Sequence, residues 1–174
     1  MRFLKPSTLG ALLASALLAC SPNGEAGAAS SQVNEKTVSG EQSALHPVSG
    51  LQIIDLKVTT DDTAHAFRVE LADTDQAQAR GLMFRTEMGE NEGMLFPSGT
   101  PQVRSFWMRN TPLSLDIIFI GPDNRILNIA ANTEPYSLES VYSDGPASAV
   151  LELVAGRSAQ LGIEPGDLVE YRLP

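Results

Sequence analysis

The segment Leu113–Ile120, with the sequence LSLDIIFI, constrains the fold more than any other part of the chain. Successive side chains of a β-strand point to opposite faces, and in the second half of this segment both faces are apolar. The acid in its middle, Asp116, is therefore expected to be at least half buried. A buried carboxylate needs either a cationic partner or several backbone N–H donors.

Several side chains are candidates to satisfy Asp116. They are the arginines Arg80, Arg85 and Arg109, and the neutral donors Asn110 and Thr111. We predict a structural arginine–aspartate pair that fixes the register of a small core. A polar binding site between the end of a helix and this strand is the alternative, because ion pairs occur in both settings.

Short apolar runs bounded by turn residues continue through the rest of the chain and predict a mainly β fold. The predicted strands are 51–59, 65–71, 93–96, 103–108, 113–120, 125–131, 147–154 and 167–172. Two short helical segments fit between them, one at 73–81 with Asp73 as its cap and one at Arg157–Leu161. We expect a small β-sandwich or partly closed barrel with one or two short helices.

The amino terminus is typical of an exported lipoprotein. Arg2 and Lys5 precede an apolar run, Leu9–Ala19, that is far shorter than the roughly 20 residues of a membrane-spanning helix. The run leads into LLAC at 17–20, which resembles a bacterial lipobox, and Cys20 is the only cysteine. The resemblance implies cleavage before Cys20 and acylation of that residue. An ordinary secretory signal is the alternative.

The segment that follows Cys20 is predicted to be a disordered tether. It is rich in small polar residues and has no aromatic residue or hydrophobic period. A flexible chain of about 27 residues has an end-to-end distance of roughly 30 Å. We therefore divide the chain into a signal peptide at 1–19, lipidated Cys20 and a tether at 20–48, and a single β-rich domain at 49–174.

The net charge of the chain argues against one class of partner. The formal charge is −9, and it becomes −11 without residues 1–19, which hold Arg2 and Lys5 but no acid. Such a balance disfavours nucleic acid and anionic lipid headgroups as partners. Membrane attachment would then depend on acyl chains at Cys20, with the domain in the cell envelope facing the periplasm or the exterior.

Four sequence motifs carry a resemblance to a known family. They are ARGLMFR at 79–85, EGMLF at 92–96, SFWMRNTPLSLDIIFI at 105–120, and VLELVAG followed by GIEPGD within 150–167. In this order and spacing the chain resembles the prokaryotic family called domain of unknown function 192, over about residues 52–172. The resemblance implies a mainly β fold and, for many members, an exported or lipid-anchored chain. It implies no reaction.

Aromatic residues suggest where a ligand could bind. Alternation places Trp107 on one strand face with Arg109, and an exposed tryptophan there would suit stacking on a sugar ring or a peptide. Burial of Trp107 in the core is the alternative. Residues 132–146 are long for a connection and contain Tyr136 and Tyr142, so they could frame a groove or merely cover a sheet edge. The candidate binding residues are Arg80, Arg85, Trp107, Arg109, Asn110, Asp116, Tyr136 and Tyr142.

Other chemistries have weaker support. Met83, Met88, Met94 and Met108 show no ligand spacing, so core filling is predicted rather than Cu(I) binding. His65 is the only histidine of the predicted domain, and no G-x-S-x-G motif accompanies it, which disfavours a hydrolytic triad. No metal or cofactor site is predicted.

These features predict a lipid-anchored cell-envelope protein whose small β domain, favoured as a monomer, binds an envelope saccharide or a protein. Catalysis is disfavoured. The alternative is an accessory hydrolase that acts on an envelope saccharide polymer through Asp116 and Glu152, because two carboxyl groups can cleave a glycosidic bond. A purely structural interaction module is the third possibility.

Overall fold

The computed structural model describes residues 44–61 and 63–174, all of which belong to one compact unit. Its elements are β1 (Ile53–Thr59), β2 (Ala64–Leu71), α1 (Asp75–Arg80), β3 (Glu92–Gln102), β4 (Ser105–Phe106), β5 (Leu115–Ile120), β6 (Ile126–Ala130), β7 (Val141–Tyr142), β8 (Ala147–Val154), α2 (Arg157–Leu161) and β9 (Leu168–Tyr171). The prediction of a mainly β fold with two short helices is confirmed. Within the described residues, no helix is both long and apolar enough to cross a membrane.

Seven strands form one mixed sheet in the order β6-β5-β8-β3-β2-β1-β9, and β4 pairs with β7 in a separate two-stranded ribbon. All neighbours in the large sheet are antiparallel except β2 and β3, whose parallel pairing requires the crossover that contains α1. The two edge strands approach each other where Arg125 bridges Leu168 and the N–H of Ile126 donates to Asp167 O at 3.0 Å. The sheet is therefore a partly closed barrel rather than a closed one.

Apolar residues cover both faces of the sheet. The cluster that we call the inner core includes Ile126 near one edge and Val169 at the other, so it occupies the concave side. The outer core lies on the convex side and includes Met94, Phe96 and Met108. Strand β5 contributes to both cores and is buried at every position, as its sequence predicted.

Three local details differ from the sequence prediction. The cap of α1 is Thr74, whose Oγ1 accepts from the N–H of Ala77 at 3.2 Å, and not Asp73. Strand β3 continues beyond Phe96 through two prolines, which its ladder with β8 tolerates because the register is irregular between Pro97 and Gln102. Strand β7 was missed because it has only two residues.

The ordered domain begins earlier than the sequence suggested. The carbonyl of Ala44 accepts from the N–H of Ile53 at 2.7 Å, and the N–H of His46 donates to Leu51 O at 2.8 Å. Residues 44–48, which were predicted to belong to the tether, therefore pack on the domain. The predicted signal peptide, Cys20 and the remainder of the tether lie outside the described residues.

Candidate functional site

Asp116 is fully buried, and backbone N–H groups satisfy it. Its Oδ1 accepts from Asn132 at 2.9 Å and from Gly156 at 3.0 Å, while its Oδ2 accepts from Ser158 at 2.9 Å. No arginine pairs with this carboxylate within the described residues, so the predicted arginine–aspartate pair is wrong. Because its N-cap, Gly156, has no side chain, α2 uses Asp116 as a remote cap for its first turn.

The two carboxyl groups proposed for glycosidic hydrolysis lie on opposite faces of the sheet. Asp116 pairs across the ladder with Leu153 of the inner core, whereas Glu152 lies between Met94 and Ile117 of the outer core. A sheet separates the two groups, so they cannot flank one glycosidic bond. The alternative of a hydrolase that acts through Asp116 and Glu152 is therefore wrong.

Glu152 is a buried acid in apolar surroundings. Its side chain makes no hydrogen bond within the part of the chain that the structure describes, and the residue is 5% exposed. Desolvation by burial raises the pKa of Glu152 to about 8. The carboxyl group is consequently mostly protonated at neutral pH in the folded protein.

A polar cluster at the outer side of β2 includes two residues that the sequence analysis did not consider, Glu70 and Ser49. Arg85 Nη2 lies 2.7 Å from Glu70 Oε1 and 3.0 Å from Oε2, and both side chains are largely buried. His46 completes the cluster, with Nε2 at 3.3 Å from Arg85 Nη1 and Nδ1 at 3.6 Å from Glu70 Oε2. The partner of Arg85 is thus Glu70 and not Asp116.

This cluster contains the residue types of a hydrolytic triad but not their arrangement. The hydroxyl of Ser49 donates to the carboxylate of Glu70 instead of to the imidazole. The Nδ1 atom of His46 lies 3.3 Å and 3.4 Å from the N–H groups of Val48 and Ser49. A nucleophilic serine requires a hydrogen bond from its hydroxyl to a general base such as the imidazole of histidine, and Ser49 makes no such bond to His46. We therefore interpret the cluster as a structural support.

The polar cluster forms part of the wall of an open groove of about 650 Å³. The groove lies between residues 46–49, the end of α1 and the loop 83–89. Its apolar lining comes from Val48, Met83, Phe84 and Met88. Arg80 also lines it and is exposed, and its guanidinium group has no hydrogen-bond or ion-pair partner within the described residues. The groove thus has an apolar wall beside a guanidinium group without an ion-pair partner, and the acids Glu87 and Glu92 also line it.

A second group of exposed side chains surrounds the turn at 107–111. The N–H of Phe84 donates to Asn110 O at 2.8 Å, and the N–H of Tyr136 donates to Thr111 O at 3.1 Å. Trp107 is 47% exposed, and the guanidinium carbon of Arg109 lies 5.5 Å from its ring centroid. Trp107 is therefore a surface residue, as the binding hypothesis requires.

We call this surface the aromatic face. Its members are exposed side chains that surround the 107–111 turn or the adjoining β4–β7 ribbon: Phe84, Trp107, Tyr136, Leu138 and Tyr142. Of the eight candidate binding residues, Arg80 and Arg85 belong to the groove, and Trp107, Arg109, Tyr136 and Tyr142 lie at the aromatic face. Asn110 joins the two, because its carbonyl holds Phe84 and its Nδ2 lies 3.8 Å from Met83 Sδ. Asp116 belongs to neither.

Most of the methionine cluster fills the core. Met94 and Met108 are 1% and 3% exposed in the outer core, and Met88 packs against it. The sulfur of Met108 lies 3.2 Å from the hydroxyl of Thr133. The prediction of core filling is confirmed for these residues, whereas Met83 lies at the groove.

Alternation along β2 could have drawn attention to Glu70. It placed Arg68 and Glu70 on the face opposite the inner core, but it could not show that residues 46–49 and Arg85 cover that face near Glu70. His46 was assigned to the tether, since the sequence around it has no hydrophobic period. The partners of Glu70 and of His46 come from distant parts of the chain. His46 and Arg85, for example, are 39 positions apart in the sequence.

The partly closed sheet and its lateral groove define a small, mainly β domain, and comparison with known proteins gives its family. The chain belongs to the uncharacterised ACR family, domain of unknown function 192, whose model matches residues 56–171. No curated protein matches the chain.

Solved structures similar to this chain include proteins from two bacteria. A protein of unknown function from Novosphingobium aromaticivorans DSM 12444 is 55% identical, with a TM-score of 0.72 and coverage of 73% of this chain and 91% of that one. A proposed transcription regulator from Sinorhizobium meliloti 1021 is 37% identical, with a TM-score of 0.68 and coverage of 70% and 95%.

Proposed function

We propose that this chain is a lipid-anchored cell-envelope protein whose β domain binds a small amphipathic ligand with an anionic group in the groove. The observation that carries the proposal is the position of Arg80, a cation without a polar partner in the described residues, beside an apolar wall. The volume of about 650 Å³ falls within the range of small-molecule sites.

The apolar wall is suited to an alkyl chain. Met83 and Met88 have flexible thioether side chains that adapt to irregular apolar ligands. Phe84 is 68% exposed in a left-handed conformation, with φ of 64°, which disfavours a bulky side chain. Backbone strain of this kind occurs frequently at functional sites, and here it presents an aromatic ring to the groove.

The buried cluster beneath the groove gives its wall a fixed shape. Arg85 forms two hydrogen bonds with Glu70, so its charge is compensated and does not compete with Arg80 for an anion. Residues 46–49 are held by the same cluster, through His46 and Ser49. A rigid support of this type lowers the entropic cost of ligand binding.

The groove proposal predicts that Arg80→Gln weakens binding of decanoate about fivefold and leaves binding of decanol unchanged, since an exposed charge pair contributes up to about 1 kcal/mol. Isothermal titration calorimetry with both probes measures the effect. Arg172→Gln is the matched control, because Arg172 is also exposed but does not line the groove.

A second variant tests the wall itself. Phe84→Asn removes the ring while an asparagine tolerates the left-handed backbone, so the domain should remain folded and lose affinity for both probes. Absence of saturable decanoate binding to the wild-type chain would contradict the groove proposal, as would equal losses in Arg80→Gln and Arg172→Gln.

The anchoring proposal predicts that Cys20→Ala yields an uncleaved precursor or a soluble protein, because the proposed acylation site is lost. Detergent partitioning of cell fractions and intact-mass measurement test this expectation. The wild-type mature chain should have the added mass of acyl chains at Cys20. A mature wild-type mass without that increment would refute the anchor and leave the groove proposal intact.

A further inference from the structure

We propose that the aromatic face docks on the surface of a lipid bilayer, with its rings in the headgroup region. This inference goes beyond the groove ligand and does not depend on it, although its geometric argument rests on the proposed anchor at Cys20. Tryptophan and tyrosine favour the membrane interface, because each combines an apolar ring with a polar group.

The exposed aromatic residues are concentrated on one surface. All four exposed aromatic residues among residues 44–61 and 63–174 belong to the aromatic face, namely Phe84, Trp107, Tyr136 and Tyr142. Leu138, which is 69% exposed, adds an aliphatic side chain between the two tyrosines in sequence. Exposed apolar side chains that are grouped around one turn in this way are typical of an interaction site rather than of ordinary surface variation.

The β4–β7 ribbon explains why these rings point outward. Ser105 pairs with Tyr142, and Phe106 pairs with Val141. Phe106 and Val141 pack against the outer core, so alternation directs Trp107 and Tyr142 away from the domain. Packing of the ribbon therefore fixes their exposure.

The position of the chain's amino-terminal part favours a membrane as the occupant. His46 and Val48 line the same groove as Phe84, which belongs to the aromatic face. The described chain begins at Ala44, close to this groove, so the part that leads back to Cys20 joins the domain near the aromatic face. The segment 21–43 has 23 residues, and a flexible chain of that length has a root-mean-square end-to-end distance of about 25–30 Å.

Charge indicates which bilayer the face would prefer. Two arginines lie near this surface: Arg109 lies against Trp107, and Arg104 lies against Phe106 of the ribbon. The segment 132–146 carries three acids, Glu134, Glu139 and Asp144. Insertion of the rings, rather than electrostatic attraction, would therefore provide the free energy of membrane binding. The aromatic face should consequently bind zwitterionic lipid in preference to anionic lipid.

Trp107 is the only tryptophan of the chain, so its fluorescence reports on this face alone. The experiment compares the acylated mature protein in phosphatidylcholine vesicles with the same protein in vesicles of lipid brominated along the acyl chain. We expect a blue-shifted emission and quenching by roughly half in the brominated vesicles, as for a ring in the interfacial region. Replacement of part of the lipid by phosphatidylglycerol should reduce the quenching.

Two matched variants locate the contact. Leu138→Ser should reduce the quenching, whereas Leu173→Ser, which changes an exposed leucine outside the aromatic face, should not. Both residues are exposed, so neither change should unfold the domain. Equal quenching in the two variants would overturn the assignment of the face.

Other outcomes assign the face to a different occupant. Emission that is unaffected by vesicles overturns the inference, and so does a blue shift caused instead by peptidoglycan fragments or by concentration-dependent dimerisation. Intact mass distinguishes this failure from failure of the anchor. If Cys20 is not acylated, vesicles added to the soluble chain still test the face directly.

Discussion

Glu152→Gln is expected to remove most of the loss of stability that the protein suffers between about pH 5 and pH 8. Burial raises the pKa of Glu152 to about 8 from an ordinary value of 4.5, so the folded state retains a proton that the unfolded state releases in this range. Stability therefore falls as the pH rises and is lowest above pH 8. For a pKa difference of this size, the expected loss is on the order of 3–5 kcal/mol.

Urea denaturation of the wild type and the variant at pH 5 and pH 9 measures the effect. The variant should be similar to the wild type at pH 5 and more stable at pH 9, because glutamine carries no charge to bury. Glu139→Gln is the matched control, since Glu139 is exposed and should leave the pH dependence unchanged. Parallel pH profiles for the wild type and Glu152→Gln would show that Glu152 is not desolvated as the structure indicates.

Asp116→Ala is expected to destabilise the domain by about 3–4 kcal/mol, because three buried N–H donors lose a charged acceptor. The donors belong to Asn132, Gly156 and Ser158, so the change also releases the first turn of α2 from the sheet. Such a loss is a large part of the stability of a small domain, which is about 5–15 kcal/mol. Chemical denaturation gives the difference in unfolding free energy.

A matched change at Asp123 shows what an exposed acceptor contributes. Asp123 also accepts a backbone N–H, that of Arg125 at 3.2 Å, but it lies in an exposed turn. Asp123→Ala should therefore cost less than about 1 kcal/mol, because water can replace the lost acceptor. Similar costs at the two positions would contradict the structural role assigned to Asp116.

The role of Asp116 changes the functional interpretation of the chain. A fully buried carboxylate whose oxygens are satisfied by backbone donors is not available to a ligand. The candidate site lies instead on the other side of the sheet, where the groove and the aromatic face meet at Asn110. Trp107, Arg109 and Asn110 precede β5 in the sequence and lie at that junction. None of them donates a hydrogen bond to Asp116.

Several features of the fold follow from the sequence because they depend on local geometry. Strand β5 is buried on both faces because its apolar residues occupy both phases of the alternation. The EPGD turn at 164–167 has Gly166 at φ of 99°, a positive value that glycine adopts readily, and a hydrogen bond from Asp167 N to Glu164 O at 3.2 Å. Periodicity and turn chemistry are properties of a few consecutive residues, so sequence alone determines them.

The candidate site depended on contacts that only the tertiary structure decided. Asp116 finds its donors 16, 40 and 42 positions away. Arg85 pairs with Glu70 and not with Asp116, because residues 46–49 and the segment after α1 meet near the carboxyl end of β2. The alternation of side chains along a strand predicts which face of the sheet each residue occupies. Strand order and register then decide which residues of other segments contact it on that face. The sequence therefore predicts most of the strands and is the basis of the exported character that we propose. The packing of distant segments decides which polar groups are buried supports and which remain exposed.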